Sequence, residues 1–108
     1  MADDSLTDLG TLATRLGAIC MARGLHVATV ESCTGGLVGH LITEVPGSSA
    51  YYIGGLVTYS DELKRASVGV PHDGLAAHGA VSAQVAMAMA SGGRERTGAD
   101  LAVSVTGI

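Results

Sequence analysis

The stretch LHVATVESCTGGLVGHLITEV, residues 25–45, contains a strand pattern, a turn and a helix pattern in succession. Its first six residues, 25–30, are rich in β-branched side chains and predict a buried strand. Residues 36–45 predict a helix, which the Pro-Gly pair that follows would end. The turn between them contains Ser32, Cys33, Thr34, Gly35 and Gly36. The stretch therefore predicts a strand that leads into a helix through a turn with nucleophilic side chains.

Strand and helix patterns also alternate on both sides of this unit. The predicted elements are helix 5–23, strand 25–30, helix 36–45, strand 51–59, helix 60–69, a turn or single helical turn at 72–79, helix 82–98 and strand 100–108. The Gly54–Gly55 pair interrupts the second strand and indicates a bulge. Because strands alternate with helices, the sequence predicts an α/β layered domain with a largely parallel sheet.

The composition disfavours several classes of protein. Of the 108 residues, 47% are apolar and 15% are charged, which fits one packed domain. A net charge of −4, with six Lys and Arg and few aromatic residues, disfavours nucleic-acid binding. No apolar run is long enough to span a membrane, and the acidic start does not resemble a signal peptide. Cys20 and Cys33 lack metal-ligand spacing, so we expect two reduced thiols in a cytoplasmic protein without a metal.

Ser32 lies where a predicted strand ends and a helix begins, the edge at which open α/β sheets bind ligands. Backbone N–H groups of the first helical turn would point into the same space and hold a phosphate, a carboxylate or a developing oxyanion. The alternative is that Ser32 or Thr34 only caps the helix. The turn does not match the hydrolase elbow, because Val30 and Thr34 occupy its glycine positions, and it contains no phosphate loop.

Lys64 is the only lysine in the chain and ends the segment TYSDELK, residues 58–64. Its charged neighbours favour an exposed position on a surface helix. The alternative is a buried lysine that acts as the general base for a serine. Cys33 is interpreted as a small packed residue, because no base is tied to it by spacing. Thr106 ends the last predicted strand, at the same sheet edge as Ser32.

The chain resembles the CinA C-terminal domain family from about residue 10 to its last residue. The segments that carry the resemblance are VESCTGGLVGHLITEVPGSSAYYIGGLVTYSDELKRASVGV at 30–70, HGAVS at 78–82 and SVTGI at 104–108. The resemblance implies an α/β/α three-layer sandwich with a mostly parallel or mixed sheet. Residues 1–108 would form a single domain of this type. Family members extend well past the position of Ile108, so we expect the chain to be truncated at its C-terminus.

The family includes nicotinamide mononucleotide deamidases, which are described as serine/lysine amidohydrolases. The resemblance therefore implies conversion of nicotinamide mononucleotide and water to nicotinic acid mononucleotide and ammonia, without a metal or cofactor. Ser32 would be the nucleophile and Lys64 the base, with Tyr59 and Thr106 orienting them or the substrate. The residues that would bind the substrate or shape the turn around it are Glu31, Cys33, Thr34, Gly35, Gly36 and Ser60.

Two other functions remain open from the sequence. The first is a non-catalytic CinA-like module that binds a nucleotide or a phosphate within a larger assembly. The second is an oligomerisation domain, since an apolar α/β piece can use a partner to cover its edges. In each case we expect a homodimer, because the chain is small and apolar. We expect a small-molecule nucleotide as ligand and no nucleic acid or membrane as partner.

Overall fold

The structure is a computed structural model that describes the backbone of residues 5–107 and the side chains of residues 8–107. The predictions for residues 1–4 and for Ile108 lie outside these described residues. The elements are α1 (Ser5–Arg23), β1 (Val27–Glu31), α2 (Leu37–Thr43), a short 3₁₀ helix (Ser48–Ala50), β2 (Tyr52–Val57), α3 (Asp61–Val68), α4 (His72–His78), α5 (Ala83–Thr97) and β3 (Leu101–Val105).

The described strands form one parallel sheet in the order β2-β1-β3. All five residues of the central strand β1 are buried, as expected for a strand covered on both faces. The carboxyl ends of the strands therefore meet at one edge, where Glu31 of β1 pairs with Val57 and Val105. The predicted α/β class with a parallel sheet is confirmed.

Helices cover both faces of the sheet, which confirms the predicted three-layer arrangement. Helix α2 packs on one face and holds α1 against it, whereas α3, α4 and α5 lie on the other face. Each interface has its own buried apolar cluster. The cluster beside α1 and α2 contains Cys20, Val27, Ile42 and Tyr51. The cluster beside α3, α4 and α5 contains Val30, Val68, Val70, Leu75, Val85 and Met89.

Helix α5 approaches its neighbours closely because it carries Gly92 and Gly93. A Cβ atom on Gly92 would overlap the Val68 carbonyl at the end of α3. A Cβ atom on Gly93 would overlap a methyl group of Val30 in the central strand. The two glycines therefore let α5 pack closely on both α3, which carries Lys64, and β1, which Ser32 directly follows.

The boundaries differ from the prediction at a few places. Residues 72–78 form a helix rather than a single turn. Helix α2 begins only at Leu37, because Gly36 precedes it with a φ of 110°, in the left-handed region. The predicted bulge lies in β2, where the register skips Ile53 between the pairs Val27–Tyr52 and Ala28–Gly54. No described helix is long and apolar enough to cross a membrane.

Candidate active site

Strand β1 places its last side chain and the one that follows it on opposite faces of the sheet, because side chains alternate along a strand. Val30 packs in the cluster beside α3, and Ser32, two residues on, bonds to a side chain of α3. Glu31 points the other way and contacts the first turn of α2. The predicted site residues are thereby divided between two sides of the sheet edge, which we call the Ser32 side and the Glu31 side.

The Glu31 side is a closed capping arrangement. The Glu31 carboxylate is only 2% exposed and accepts hydrogen bonds from the Thr34 hydroxyl at 2.7 Å and from three backbone N–H groups. These N–H groups belong to Gly36, Val38 and Gly39, at 3.2, 2.9 and 2.9 Å. Burial by itself raises the pKa of Glu31, but these hydrogen bonds outweigh it and hold the pKa below its usual range.

This arrangement corrects two predictions about the turn. The N–H groups at the start of α2 donate to Glu31, so they do not form the anion-binding site expected for a phosphate or an oxyanion. Neither Ser32 nor Thr34 is the N-cap, a position that Gly36 occupies without a side-chain hydrogen bond. The Glu31 carboxylate occupies the position at which an external anion would bind. A carboxylate at this position is stabilised by the positive end of the helix dipole.

On the Ser32 side, Lys64 is buried, with 1% of its surface exposed. Its Nζ donates to Ser32 Oγ at 3.0 Å, to the Thr58 carbonyl at 2.9 Å and to the Tyr59 carbonyl at 3.0 Å. An ammonium group has three N–H donors, so these three acceptors satisfy all of them. No carboxylate of the described residues forms an ion pair with Lys64. The interpretation of Lys64 as a surface charge is therefore wrong.

The physical reason for this burial is the orientation of helix α3. Lys64 and Val68 lie four residues apart on one helical face, and both are buried. Helix α3 starts at Ser60, whose hydroxyl accepts from Leu63 N–H at 3.1 Å, and ends at Gly69, which is left-handed. The other charged residues of the helix lie on its exposed faces, so their charge does not indicate where Lys64 points.

Ser32 and Lys64 open into a cavity of about 290 Å³ at the carboxyl edge of the sheet. Its lining consists of Ser32, Cys33, Tyr59, Asp61, Lys64, Ala80, Thr106 and Gly107. Among the described residues, no three His, Cys, Asp or Glu side chains converge on a metal position, here or elsewhere. The cavity therefore combines a hydroxyl, an amine and a thiol within one small space.

Three more of the predicted site residues, Tyr59, Thr106 and Cys33, contribute to this cavity in ways that the sequence did not indicate. Tyr59 contributes its carbonyl, which accepts from Lys64 and, at 3.5 Å, from the Ser32 hydroxyl, while the residue as a whole is 74% exposed. The Thr106 hydroxyl donates to the Ala80 carbonyl at 2.8 Å. Cys33 is an exposed free thiol on the cavity wall, so the interpretation of it as a packed residue is wrong.

The other predicted site residues lie outside the cavity. Glu31 and Gly36 line a separate hollow on the Glu31 side. The Thr34 hydroxyl is bonded to Glu31, and Gly35 continues the turn through its N–H bond to the Ser32 carbonyl. The Ser60 hydroxyl is committed to capping α3. These residues shape the turn and the helix next to Ser32, and the structure does not bring them to the cavity.

The structure also adds residues that sequence reasoning missed. The Thr58 carbonyl holds Lys64, but a backbone acceptor leaves no residue-type signal in a sequence. Asp61 lines the cavity, and from the sequence it was only one charged residue among several on a helix. Its position directly after the cap of α3, three residues before Lys64, is the signal that could have identified it.

A comparison with known proteins identifies the family. The family model described as the CinA C-terminal domain matches residues 9–108. The chain belongs to the CinA C-terminal domain family. CinA-like proteins from Chloroherpeton thalassium and Geobacter sulfurreducens are each 53% identical to it, over 90% and 91% of this chain. The chain spans 23% and 24% of the length of these two relatives.

Solved CinA structures share this fold closely. A competence/damage inducible protein from Agrobacterium tumefaciens superposes with a TM-score of 0.91 at 46% identity, over 94% of this chain and 61% of its own. A CinA superfamily protein from Escherichia coli gives a TM-score of 0.91 at 33% identity, over 99% of this chain and 62% of its own. This CinA domain therefore corresponds to about three fifths of each solved chain.

Proposed function

We propose that this CinA domain hydrolyses the amide of nicotinamide mononucleotide, giving nicotinic acid mononucleotide and ammonia, with Ser32 as nucleophile and Lys64 as base. The observation that carries the proposal is the 3.0 Å contact between Ser32 Oγ and a buried lysine amine that has no carboxylate partner among the described residues. A serine hydroxyl is a weak nucleophile until a neighbouring base accepts its proton. Membership of the CinA family supports the same assignment.

The roles follow from the contacts of Lys64. The Thr58 and Tyr59 carbonyls each accept one N–H of the amine, which directs its third position toward Ser32 Oγ. In its neutral form Lys64 accepts the Ser32 proton as Oγ attacks the amide carbon. The same amine then donates that proton to the departing nitrogen, so that ammonia leaves and an acyl-serine remains. Water activated by Lys64 hydrolyses the acyl-serine and restores the hydroxyl.

The developing oxyanion needs a donor other than the start of α2. The Gly35 N–H donates to the Ser32 carbonyl, so Cys33 and Thr34 are the central residues of a tight turn. Within the described part of the chain, the N–H of Cys33 has no hydrogen-bond acceptor, and Cys33 lines the cavity. We assign this N–H, on the residue directly after the nucleophile, to the oxyanion.

The alternative function, a non-catalytic module that binds phosphate, has less support. The helix start that would bind a phosphate is occupied by the Glu31 carboxylate. The cationic side chain on the cavity wall, Lys64, already has three hydrogen-bond partners. A phosphate-binding module would also leave the burial of Lys64 against a serine without a purpose.

Ammonia release from nicotinamide mononucleotide by the purified chain tests the proposal. Ser32→Ala should abolish ammonia release while the thermal unfolding midpoint stays close to that of the parent. Ser91→Ala is the matched control, because Ser91 is an exposed serine of α5 away from the cavity. A folded parent that releases no ammonia, or a Ser32→Ala variant that keeps its rate, would contradict the proposed function.

We also propose that the chain acts as a cytoplasmic homodimer. Support for self-association comes from large apolar side chains on the surface, which include Leu12, Ile19 and Met21 of α1 and Leu101 and Val103 of β3. A contiguous patch of such side chains is typical of a surface that a partner covers, and these residues are the candidates for that patch. Light scattering at micromolar concentration should give twice the mass of the chain, and the mass of one chain would contradict the dimer.

A further inference from the structure

We propose that the Thr58 hydroxyl is a positioning group, which holds the Lys64 amine in place while Ser32 carries the acyl group. This inference rests on the proposed serine/lysine hydrolysis and concerns its second half, in which water removes the acyl group. The observation that carries it is a buried hydroxyl, beside the reacting pair, that has no hydrogen-bond partner among the described residues.

Thr58 is 0% exposed, yet its Oγ1 atom makes no hydrogen bond with any described residue. A buried hydroxyl without a partner costs free energy, and a valine of nearly the same shape would avoid that cost. Because nearly all buried polar groups in folded proteins are satisfied, an exception next to a candidate active site points to a role in the reaction.

The register of the sheet places Thr58 beside Ser32. Strand β2 pairs with β1 as far as Val57 and Glu31, and the Thr58 N–H continues this pairing by donating to the Glu31 carbonyl at 2.7 Å. Leu56 packs against the cluster beside α3, α4 and α5, and side chains two residues apart on a strand share a face. The Thr58 side chain therefore points to the same side of the sheet as Ser32, toward α3.

Thr58 also contacts Lys64 through its backbone. Its carbonyl accepts from Lys64 Nζ at 2.9 Å, while the Ser32 hydroxyl and the Tyr59 carbonyl accept the other two N–H groups, at 3.0 Å each. The Thr58 hydroxyl and the Lys64 amine thus lie on the same side of the sheet, both buried, without a hydrogen bond between them in this state. The hydroxyl is needed only when the amine loses one of its three partners.

Acylation removes one of these partners. Ser32 Oγ is then bonded to the acyl carbon, so it has no proton to donate and is a weaker acceptor than a hydroxyl. Lys64, neutral after ammonia has left, keeps two contacts to carbonyls on a flexible side chain. The Thr58 hydroxyl accepts from one of the two remaining N–H groups, which limits rotation of the amine and leaves its lone pair free for water.

The held amine then completes the hydrolysis. Water gives a proton to Lys64 as its oxygen attacks the acyl carbon, and Lys64 returns that proton to Ser32 Oγ as the acid leaves. The Thr58 hydroxyl takes part in neither proton transfer, so its removal should slow the loss of the acyl group without preventing it.

The test separates removal of the acyl group from the identity of the amide. The acyl donor is p-nitrophenyl acetate, and peptide mass spectrometry follows the decay of acetyl-Ser32. Thr58→Val should slow this decay about tenfold, the scale of one hydrogen bond to a group that becomes charged. Thr58→Ser should keep the rate of the parent, because it retains the hydroxyl. The urea midpoint of Thr58→Val should equal or exceed that of the parent, since the change removes only an unpartnered hydroxyl.

Thr29→Val is the matched control. Thr29 is 1% exposed, and its hydroxyl is hydrogen-bonded to the Tyr52 hydroxyl at 2.7 Å, beside the hollow on the Glu31 side. The same chemical change should therefore lower the urea midpoint, because Tyr52 loses this partner, and leave the decay of acetyl-Ser32 unchanged. If Thr58 were purely structural, its valine variant would behave like Thr29→Val, with lower stability and an unchanged decay rate.

A second arm measures ammonia release from nicotinamide mononucleotide. Thr58→Val should lower kcat and keep kcat/KM, because kcat/KM reports the acylation half, for which Ser32 and Lys64 are already in contact. Acyl-Ser32 should accumulate in this variant during turnover.

Unchanged decay of acetyl-Ser32 in Thr58→Val, or equally slow decay in Thr58→Ser, would overturn the inference. If the decay depends on the Thr58 hydroxyl but the parent releases no ammonia, the proposed function fails and the inference stands. If ammonia is released and the decay ignores Thr58, the inference alone is wrong. A parent that takes no acetyl group at Ser32 would contradict both.

Discussion

Glu31 and Ser32 are neighbours in the chain, yet Glu31 accepts hydrogen bonds from the start of a helix, whereas Ser32 contacts a buried amine at the wall of a cavity. On the Glu31 side, a carboxylate meets a hydroxyl and three N–H groups, so a charge is fully matched by donors. On the Ser32 side, a lysine amine meets a hydroxyl and two carbonyls, and no carboxylate of the described residues pairs with it. Donors that match the Glu31 charge make its burial stabilising, whereas the buried amine beside the Ser32 hydroxyl is the contact from which we propose a proton transfer.

The largest effect is expected from removing the amine on the Ser32 side. Lys64→Met keeps a long apolar stem but leaves Ser32 without a base, so the rate of ammonia release should fall by roughly 10²–10⁴-fold, the usual contribution of a general base. Steady-state kinetics measure this loss, and circular dichroism checks the fold. Arg94→Met, which removes an exposed cation of α5, should keep the parent rate. A Lys64→Met variant with the activity of the parent would contradict the proposed role of Lys64 as the base for Ser32.

The next effect concerns stability on the Glu31 side. Glu31→Gln replaces an acceptor of four hydrogen bonds with an amide whose own NH₂ faces N–H groups. Because hydrogen bonds to a buried charge are among the strongest, we expect the free energy of unfolding to fall by about 3 kcal/mol. Urea denaturation gives this value directly.

The control for this change is Glu62→Gln at an exposed position of α3. It makes the same chemical change at a carboxylate that forms no hydrogen bond or ion pair with the described residues, so its unfolding free energy should stay within about 0.5 kcal/mol of the parent. Equal stability of Glu31→Gln and the parent would show that the carboxylate does not hold the turn.

The stabilisation by Glu31 should also depend on pH. The pKa of Glu31 is lowered in the folded chain, so its contribution is fully present above the unfolded pKa of about 4.3. The contribution is lost as pH falls through the lowered folded pKa, where the carboxylate is protonated. The stability difference between the parent and Glu31→Gln should therefore shrink as pH drops below about 4, as acid titration of urea midpoints would show. A difference that stays constant with pH would rule out this linkage.

The smallest effect is expected at Ser60, which was predicted to bind substrate and which the structure places at a helix cap. Ser60→Ala removes the hydroxyl that accepts from Leu63 N–H and should cost about 1 kcal/mol of stability. KM should not change, because Ser60 is not on the cavity wall. The equivalent cap on α5 is Ser82, and Ser82→Ala should lose a similar amount. If KM rose in Ser60→Ala but not in Ser82→Ala, Ser60 would have to contact the substrate, contrary to this prediction.

Sequence reasoning succeeded where the information is local. The strand and helix alternation, the helix caps at Ser60 and Ser82, the stop at Gly24 and the bulge near Gly54 follow from residue types a few positions apart. It failed for Cys33, for the start of α2 and for the exposure of Lys64. Each of these depends on which neighbouring element covers the residue, and periodicity within one segment does not contain that information.

The sequence alone determined that the chain alternates strands with helices and that a serine follows the central strand, because β-branched runs, glycines and caps act over short distances. Two contacts depend on tertiary packing instead: Lys64 reaches Ser32 from 32 residues away, and Glu31 lies on the other side, where it occupies the start of α2. The physical reason is that a strand alternates its side chains between two faces, and the packing of α2 and α3 decides what each face meets.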